Sequence, residues 1–437
     1  MLGRTLLISL LIVAPAAAQI DPRAIATDVT VGRFDAFRTP LGTSDAAITL
    51  TLDPFEAVAV TWHSDPRIET DPVVRVRVST DGNRWSDWQA LAIDDDVTRS
   101  DEGRYASGIA HFGASQRYLQ LSIDRSADGV TVTAFPEPPP QRKTVEAASI
   151  PTGALQIRSR VDWGCPDGEE TTHGTPAYTT VTHAILHHTA GGNDLPNWDA
   201  EVRNIWYYHV FTNGWADIGY NFLIDPNGVI YEGRAGGAGV LGAHFSCING
   251  GTVGIALLGT YSTVDPTPAA VASVEALLRE LCNRWKIDSS AVALHVASGS
   301  TLPTIVGHRD GNSLPRSCTV TECPGGRFWV LIPAIRTNAD CEPSIELPPA
   351  SITIATGRSA TLSVVASGPG LAYQWYGGAS GSTSSPIEGA TSASVTVSPA
   401  AVAQYWVRVS NNCASADSAA ATVNVASAAK RRAARHW

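Results

Sequence analysis

VTHAILHH (Val181–His188) and TVGIALLG (Thr252–Gly259) are the stretches on which the fold turns, and both read as strands. Between them, residues 197–212 carry Val202, Ile205, Trp206, His209 and Val210 at helical spacing. A second helix follows the second strand. Thr267 is its N-cap and Pro268 its first residue, and Val271, Val274, Leu278, Leu281 and Trp285 make its apolar face. Strand, helix, strand, helix predicts an α/β domain around a central mixed sheet, over residues 153–340.

The first strand ends on His187-His188-Thr189. Downstream, GHRD supplies His308 and TECPG supplies Cys323. Two imidazoles and a thiolate suit zinc, and three protein ligands leave a fourth position open, the pattern of a catalytic site. Scattered His and Cys are by themselves a weak signal, since most such histidines are ordinary polar residues. His187 and His188 alternate to opposite faces of the strand, which reads His188 as structural first.

The flanks are of another kind. Residues 20–135 read as an all-β sandwich or jelly-roll. Val74, Val76 and Val78 alternate with Arg75 and Arg77, Asp81-Gly82 gives a hairpin turn, and Leu119, Leu121 and Ile123 alternate again. Trp85 and Trp88 read as strand-face or core aromatics, with sugar stacking as the functional alternative. A proline-rich linker, 136–152, follows. Residues 341–427 return to short strands (LSVVA, AYQWY, SVTV, YWVRV, ATVNV). Trp375 and Tyr405 lie on these strands, so an immunoglobulin-like β-sandwich is expected. Residues 428–437 form a basic tail with Lys430, Arg431, Arg432 and Arg435.

A chain of 437 residues with 44% hydrophobic and 16% charged content is globular and multidomain. Its net charge of -10 argues against a dedicated nucleic-acid binder. Arg4, the apolar run Leu6–Val13, and Ala16 and Ala18 predict a signal peptide over 1–18, hence a secreted or periplasmic protein. No later segment resembles a transmembrane span. Seven cysteines in an exported chain leave one over for a special role.

The middle segment resembles the peptidoglycan recognition protein family, which shares the fold of the type 2 N-acetylmuramoyl-L-alanine amidases. The resemblance rests on SRVDWGC (Ser159–Cys165), AILHHTAG, GWADIGYNFLIDPNGVIYEGR (Gly214–Arg234), GAHFSCINGGTVGIALLGTY (Gly242–Tyr261), and GHRD with TECPG, in that order. It covers 157–338, roughly two fifths of the chain. It implies zinc bound by His187, His308 and Cys323, with Tyr220 and Thr321 in catalytic positions. His188, His244, Asn221 and Arg234 fall among the substrate-binding positions it implies. Cys318 lies in a ligand loop longer than the family's usual spacing, but it lacks the proline and glycine that follow Cys323. A tryptophan common after YEGRG in the family is replaced here by the run YEGRAGG. No carboxylate in a matched motif is assigned as base.

The implied activity is zinc-dependent hydrolysis of the amide between N-acetylmuramic acid and L-alanine in peptidoglycan. The alternative is a non-catalytic recognition protein that binds peptidoglycan muropeptides, as some relatives do; those typically lack the cysteine. Cell-wall or surface binding is then the expected role of the flanking β domains. With Cys323 a ligand, Cys341 and Cys413 flank the last domain and are expected to pair. Four cysteines allow three connectivities. Chain order favours Cys282 with Cys318, and elimination then leaves Cys165 with Cys247.

Overall fold

The computed structural model describes residues 25–34, 47–65, 67, 72–94, 103–136, 155–237, 239–368, 370–411 and 413–426. The expected signal peptide, nearly all of the linker and the basic tail lie outside the described residues.

Among the described residues, seven antiparallel strands build the N-terminal domain: β1 (Thr27–Phe34), β2 (Ile48–His63), β3 (Val74–Ser79), β4 (Gln89–Ala90), β5 (Arg104–Ala106), β6 (Ala110–Ile123) and β7 (Ala127–Phe135). They form one hydrogen-bonded sheet in the order β1-β7-β2-β6-β3-β4, with β5 also on β2. The register of β2 against β6 shifts twice between Thr51 and Ala57, and such bulges bend a strand. Alternation then sorts β2 between two cores. Val58 and Val60 join Val74, Val76, Val78, Leu119 and Leu121 inside the domain. Ala57 and Ala59 face the other way and pack, with Ala106, Ile109 and Phe135, against Trp198, Val202, Ile205 and Trp206 of the middle domain. Alanines on that face let a helix approach the sheet closely.

The middle domain contains β8 (Ile157–Arg158), β9 (His183–His188), β10 (Phe222–Ile224), β11 (Ile230–Glu232), β12 (Thr252–Leu257), the hairpin β13 (Val292–His295) and β14 (Ser300–Pro303), and β15 (Ile305–Gly307). Its central sheet runs β15-β9-β12-β10-β11-β8, parallel except at β10/β11. Helix α1 (Trp198–Tyr207) is capped by Asn197, whose side chain accepts from Ala200 N at 3.1 Å. The helical periodicity read through residue 212 continues as a π-helical segment, Tyr208–Thr212. Helix α2 (Pro268–Trp285) starts at its Thr267 cap. Helix α3 (Gly326–Trp329) and helix α4 (Ile332–Asn338) follow the ligand loop. Helices α2 and α4 pack with Leu186, Val253, Ile255 and Leu257 on one face of the sheet, and α1 covers the other with Leu223 and Ala256. The result is a three-layer α/β unit.

The C-terminal strands form a five-stranded sheet (Ile352–Ala355, Ala421–Ala426, Ala403–Ser410, Ala372–Gly377 and Ser415–Asp417) and two strand pairs, Ser344–Leu347 with Val365–Ser367 and Ala360–Ser363 with Ser394–Val397. Trp375 is fully buried with Val395, Val407 and Val409, in an immunoglobulin-like core. Its indole N–H donates to Ser392 O at 2.9 Å. Cys341 and Cys413 are joined by a disulfide, as expected.

An ion pair ties the first two domains. His111 Nε2 lies 3.0 Å from Glu201 Oε2, and the Glu201 side chain is only 2% exposed. Burial by itself lowers the imidazole's pKa, but the Glu201 charge and hydrogen bond, helped by Glu56, outweigh it and raise the value above the usual 6.5. A raised histidine pKa contributes stability that is complete below the unfolded value and is lost as pH climbs through the folded one. We therefore expect the docking of the two domains to weaken as pH rises from about 6 past the raised value. Thermal melts across that range should show the decline, and Glu201→Gln should flatten it. An equally steep decline in the variant would remove the pair as its source.

Candidate metal centre

His187 occupies the penultimate position of β9, opposite Ala256 in the parallel neighbour β12. His308 directly follows β15, the other neighbour of β9. Cys323 arrives on the loop before α3. Three points far apart in sequence thus meet at one end of adjacent parallel strands, where α/β sheets place their sites. The donor atoms of His187, His308 and Cys323 lie within 4.8 Å of one another, and all three residues are buried. Cys323 Sγ is 3.6 Å from His187 Nδ1. Tetrahedral zinc, at about 2.3 Å from sulfur and about 2.0 Å from nitrogen, would hold such atoms roughly 3.5 Å apart. The donors present fit that ion in type and in spacing.

The far nitrogen of His187 has its own partner. Nε2 lies 3.0 Å from His244 Nδ1, and His244 Nε2 lies 3.3 Å from Thr252 Oγ1, which donates to Asn249 O at 2.7 Å. With each N–H pointing away from the centre, the relay leaves Nδ1 of His187 free of its proton for a metal, the usual outer-shell arrangement. His244 is locked in place. A Cβ added at Gly242 or at Gly254 would come within 2.4 Å of its ring. The GAH and TVGIAL motifs therefore work together, through glycines that leave room for one imidazole. This supporting role of His244 lay outside the sequence reading, which placed it at substrate.

Tyr220 is buried, with its ring 5.3 Å from that of His187. His209, on the π-helical segment, stands 5.7 Å from Tyr220 and 4.6 Å from Trp215, and its Nδ1 accepts from Gly219 N at 3.0 Å. Helical spacing marked His209 only as part of an apolar face. The π-helix shifts the residues after Tyr207, and such insertions often accompany sites. Thr321 Oγ1 accepts from Cys323 N at 2.9 Å, while Asn312 clasps the Thr321 backbone through both its N–H (3.0 Å) and its carbonyl (2.9 Å). That turn sets where Cys323 points.

Three other residues expected at substrate have polar atoms committed to the protein itself. His188 Nδ1 accepts from Tyr261 N at 3.1 Å, on the strand face away from His187. The Asn221 amide bridges Val240 O and Gly254 N, both at 2.8 Å. Arg234 donates to the carbonyls of Ile218, Leu241 and Asp217.

The pairing expected for Cys318 is corrected. Cys318 bonds to Cys247, and Cys165 and Cys282 are reduced and buried. Cys282 belongs to the sheet-facing side of α2, and that orientation keeps it from the ligand loop. Cys165 accepts a bond from Arg160 at 3.1 Å. Burial pushes both thiols up to about 12, so neither competes as a thiolate. The observed bridge anchors the long loop between His308 and Cys323 to the loop that follows His244. Removing it by Cys318→Ser should cost about 4 kcal/mol of stability on the chain-entropy account of a loop this long. Thermal unfolding reads that loss, and zinc content, measured in parallel, should persist.

Residues 177–326 match the family described as N-acetylmuramoyl-L-alanine amidase. Residues 342–426 match an Ig-like domain, CHU_C associated, and residues 16–147 match the Rv3811 N-terminal galactose-binding domain-like family. Peptidoglycan-recognition protein SC2 of Drosophila simulans is 35% identical over 177 residues, 40% of this chain and 83% of that protein. Peptidoglycan recognition protein 1 of Bos taurus is 35% identical over 135 residues, 30% of this chain and 63% of that protein. Among solved structures, Drosophila PGRP-LB matches with a TM-score of 0.32 and 28% identity, covering 40% of this chain and 92% of that one. The sequence identity across most of the length of SC2 carries the assignment: this chain belongs to the peptidoglycan-recognition protein family.

Proposed function

We propose that the chain is a zinc-dependent N-acetylmuramoyl-L-alanine amidase, releasing stem peptides from the glycan of peptidoglycan. The observation that supports it most is the His187, His308 and Cys323 cluster, with its 3.6 Å sulfur–nitrogen spacing. Three protein donors leave an open coordination position, which is the mark of a catalytic rather than a structural zinc site. When bound, zinc supplies Lewis acidity, polarising the lactyl carbonyl and lowering the pKa of water toward ~7.

The chain's own residues do the rest. His244 holds the His187 ring in one tautomer and orientation. The backbone N–H of His188 donates to Cys323 Sγ at 3.4 Å, which helps fix where the sulfur points. Tyr220 offers its hydroxyl to the oxyanion that forms when the carbonyl carbon becomes tetrahedral. Two disulfides accord with action outside the cytoplasm, secreted or periplasmic. No helix among the described residues is long and apolar enough to cross a membrane.

The test is incubation of the purified protein with muropeptides, with and without a chelator, followed by mass analysis. Cleavage between the lactyl group and L-alanine, lost with the chelator, supports the reading. Intact muropeptide bound without turnover would instead identify a recognition protein.

A further inference from the structure

Two cavities meet where the N-terminal sheet docks on the middle domain. The first, about 440 Å³, is lined from the N-terminal side by Gln89–Ala92 and Gly108–His111, and from the other side by the loop Ala190–Gly192 and Thr260. That loop leaves the strand that carries His187, three residues beyond it. The second, about 720 Å³, lies on the N-terminal domain alone and is lined by Trp85, Trp88, Phe112 and Gln116 among others. Gln89 and His111 line both, so the two make one trough leading from the loop that follows β9 to a pair of indoles.

The trough is built rather than incidental. Gly108 packs so tightly on the loop after β9 that a Cβ there would fall 2.5 Å from Ala190 O. The two walls are therefore held in one register. The indoles are fixed too. Arg77 Cζ lies 4.7 Å from the Trp88 ring and 5.5 Å from the Trp85 ring. Its Nε donates to Gln120 Oε1 at 2.7 Å. The loop carrying both indoles is closed at its start by Asp81, which accepts from Asn83 N and Arg84 N at 2.9 Å, and at its middle by Ser86, which exchanges bonds with Val78. Side chains held this way lose little freedom on binding.

We propose that this trough binds the glycan strand of the substrate, a chain of N-acetylated sugars, with Trp85 and Trp88 as its stacking platform. The choice of glycan rests on the amidase reading. Aromatic faces take the apolar C–H side of a sugar ring, while the exposed Gln89 beside them offers a neutral hydrogen-bonding amide. Charge argues against the stem peptide as occupant. Glu56, Asp87 and Asp194 line the trough, whereas Arg84 is already paired with Asp81 at 3.2 Å, His111 with the buried Glu201 at 3.0 Å, and Arg77 is held against the two indoles. An anionic peptide would meet net negative charge there, and an uncharged sugar chain would not. The N-terminal domain thereby holds the polymer while the middle domain cuts its branches.

The full chain should be titrated with a hexamer of β-1,4-linked N-acetylglucosamine, in chelator, by calorimetry or tryptophan fluorescence. Chelator separates the two readings, because sugar binding here needs no metal while cleavage, scored separately on muropeptides, does. We expect the parent to bind, with affinity reduced about tenfold or more in Trp88→Ala, the scale for an aromatic anchor. Gln89→Arg, at an exposed position shared by both cavities, should weaken binding as well without touching the indole packing. No binding by the parent, equal binding by parent and both variants, or tighter binding of a free stem peptide than of the hexamer, would overturn the inference even if the amidase is fully active.

Discussion

Cys323→Ser is expected to give a folded protein that no longer holds the proposed zinc and releases no stem peptide. Sulfur supplies the one anionic donor of the candidate centre, and a serine hydroxyl is both shorter and un-ionised near neutral pH. Outer-shell changes alone weaken zinc sites by roughly 10- to 100-fold, so loss of a direct ligand should exceed that range. The fold should survive, because Cys323 forms no disulfide and the loop around it is held by Asn312, Thr321 and the Cys247–Cys318 bridge. Metal content by elemental analysis, muropeptide turnover and a thermal melt separate these effects. Cys318→Ser is the matched control, since it opens the bridge and leaves all three donors in place. If Cys318→Ser emptied the site while Cys323→Ser proved harmless, the ligand would be misassigned.

The α/β core was legible because its signals are local. The Thr267-Pro268 start of α2 is a cap that acts within one turn, and the helix begins there. His187 sits at the end of a strand that its apolar run announces. What could not be read depended on how elements pack. Cys282 is close to the ligand loop in chain order, but α2 turns it into the core beside Leu278 and Leu281. Ala57 and Ala59 look like neutral strand positions, and only the docked helix α1 makes them part of an interface between domains. His244 shows the same limit. Its place beside His187 follows from two glycines on different segments, Gly242 and Gly254, which only the folded sheet brings around one ring.

Tyr220→Phe is expected to bind substrate about as well as the parent and to turn it over roughly 10²- to 10³-fold more slowly, the scale for losing one oxyanion donor. The substitution removes a single oxygen from a buried ring, so packing against His187 and His209 is kept. Zinc should stay at its parental content, because no donor of the cluster is touched. The ground-state carbonyl carries little charge and gains little from a phenol. The tetrahedral oxyanion carries a full charge in a site walled by buried side chains, where a hydrogen bond is worth more than in water. The loss should therefore fall on kcat, with KM nearly unchanged, which is the signature of an interaction made only in the transition state. A rate equal to the parent's would remove Tyr220 from the reaction. A higher KM at unchanged kcat would recast the hydroxyl as a group that grips the substrate rather than one that stabilises charge.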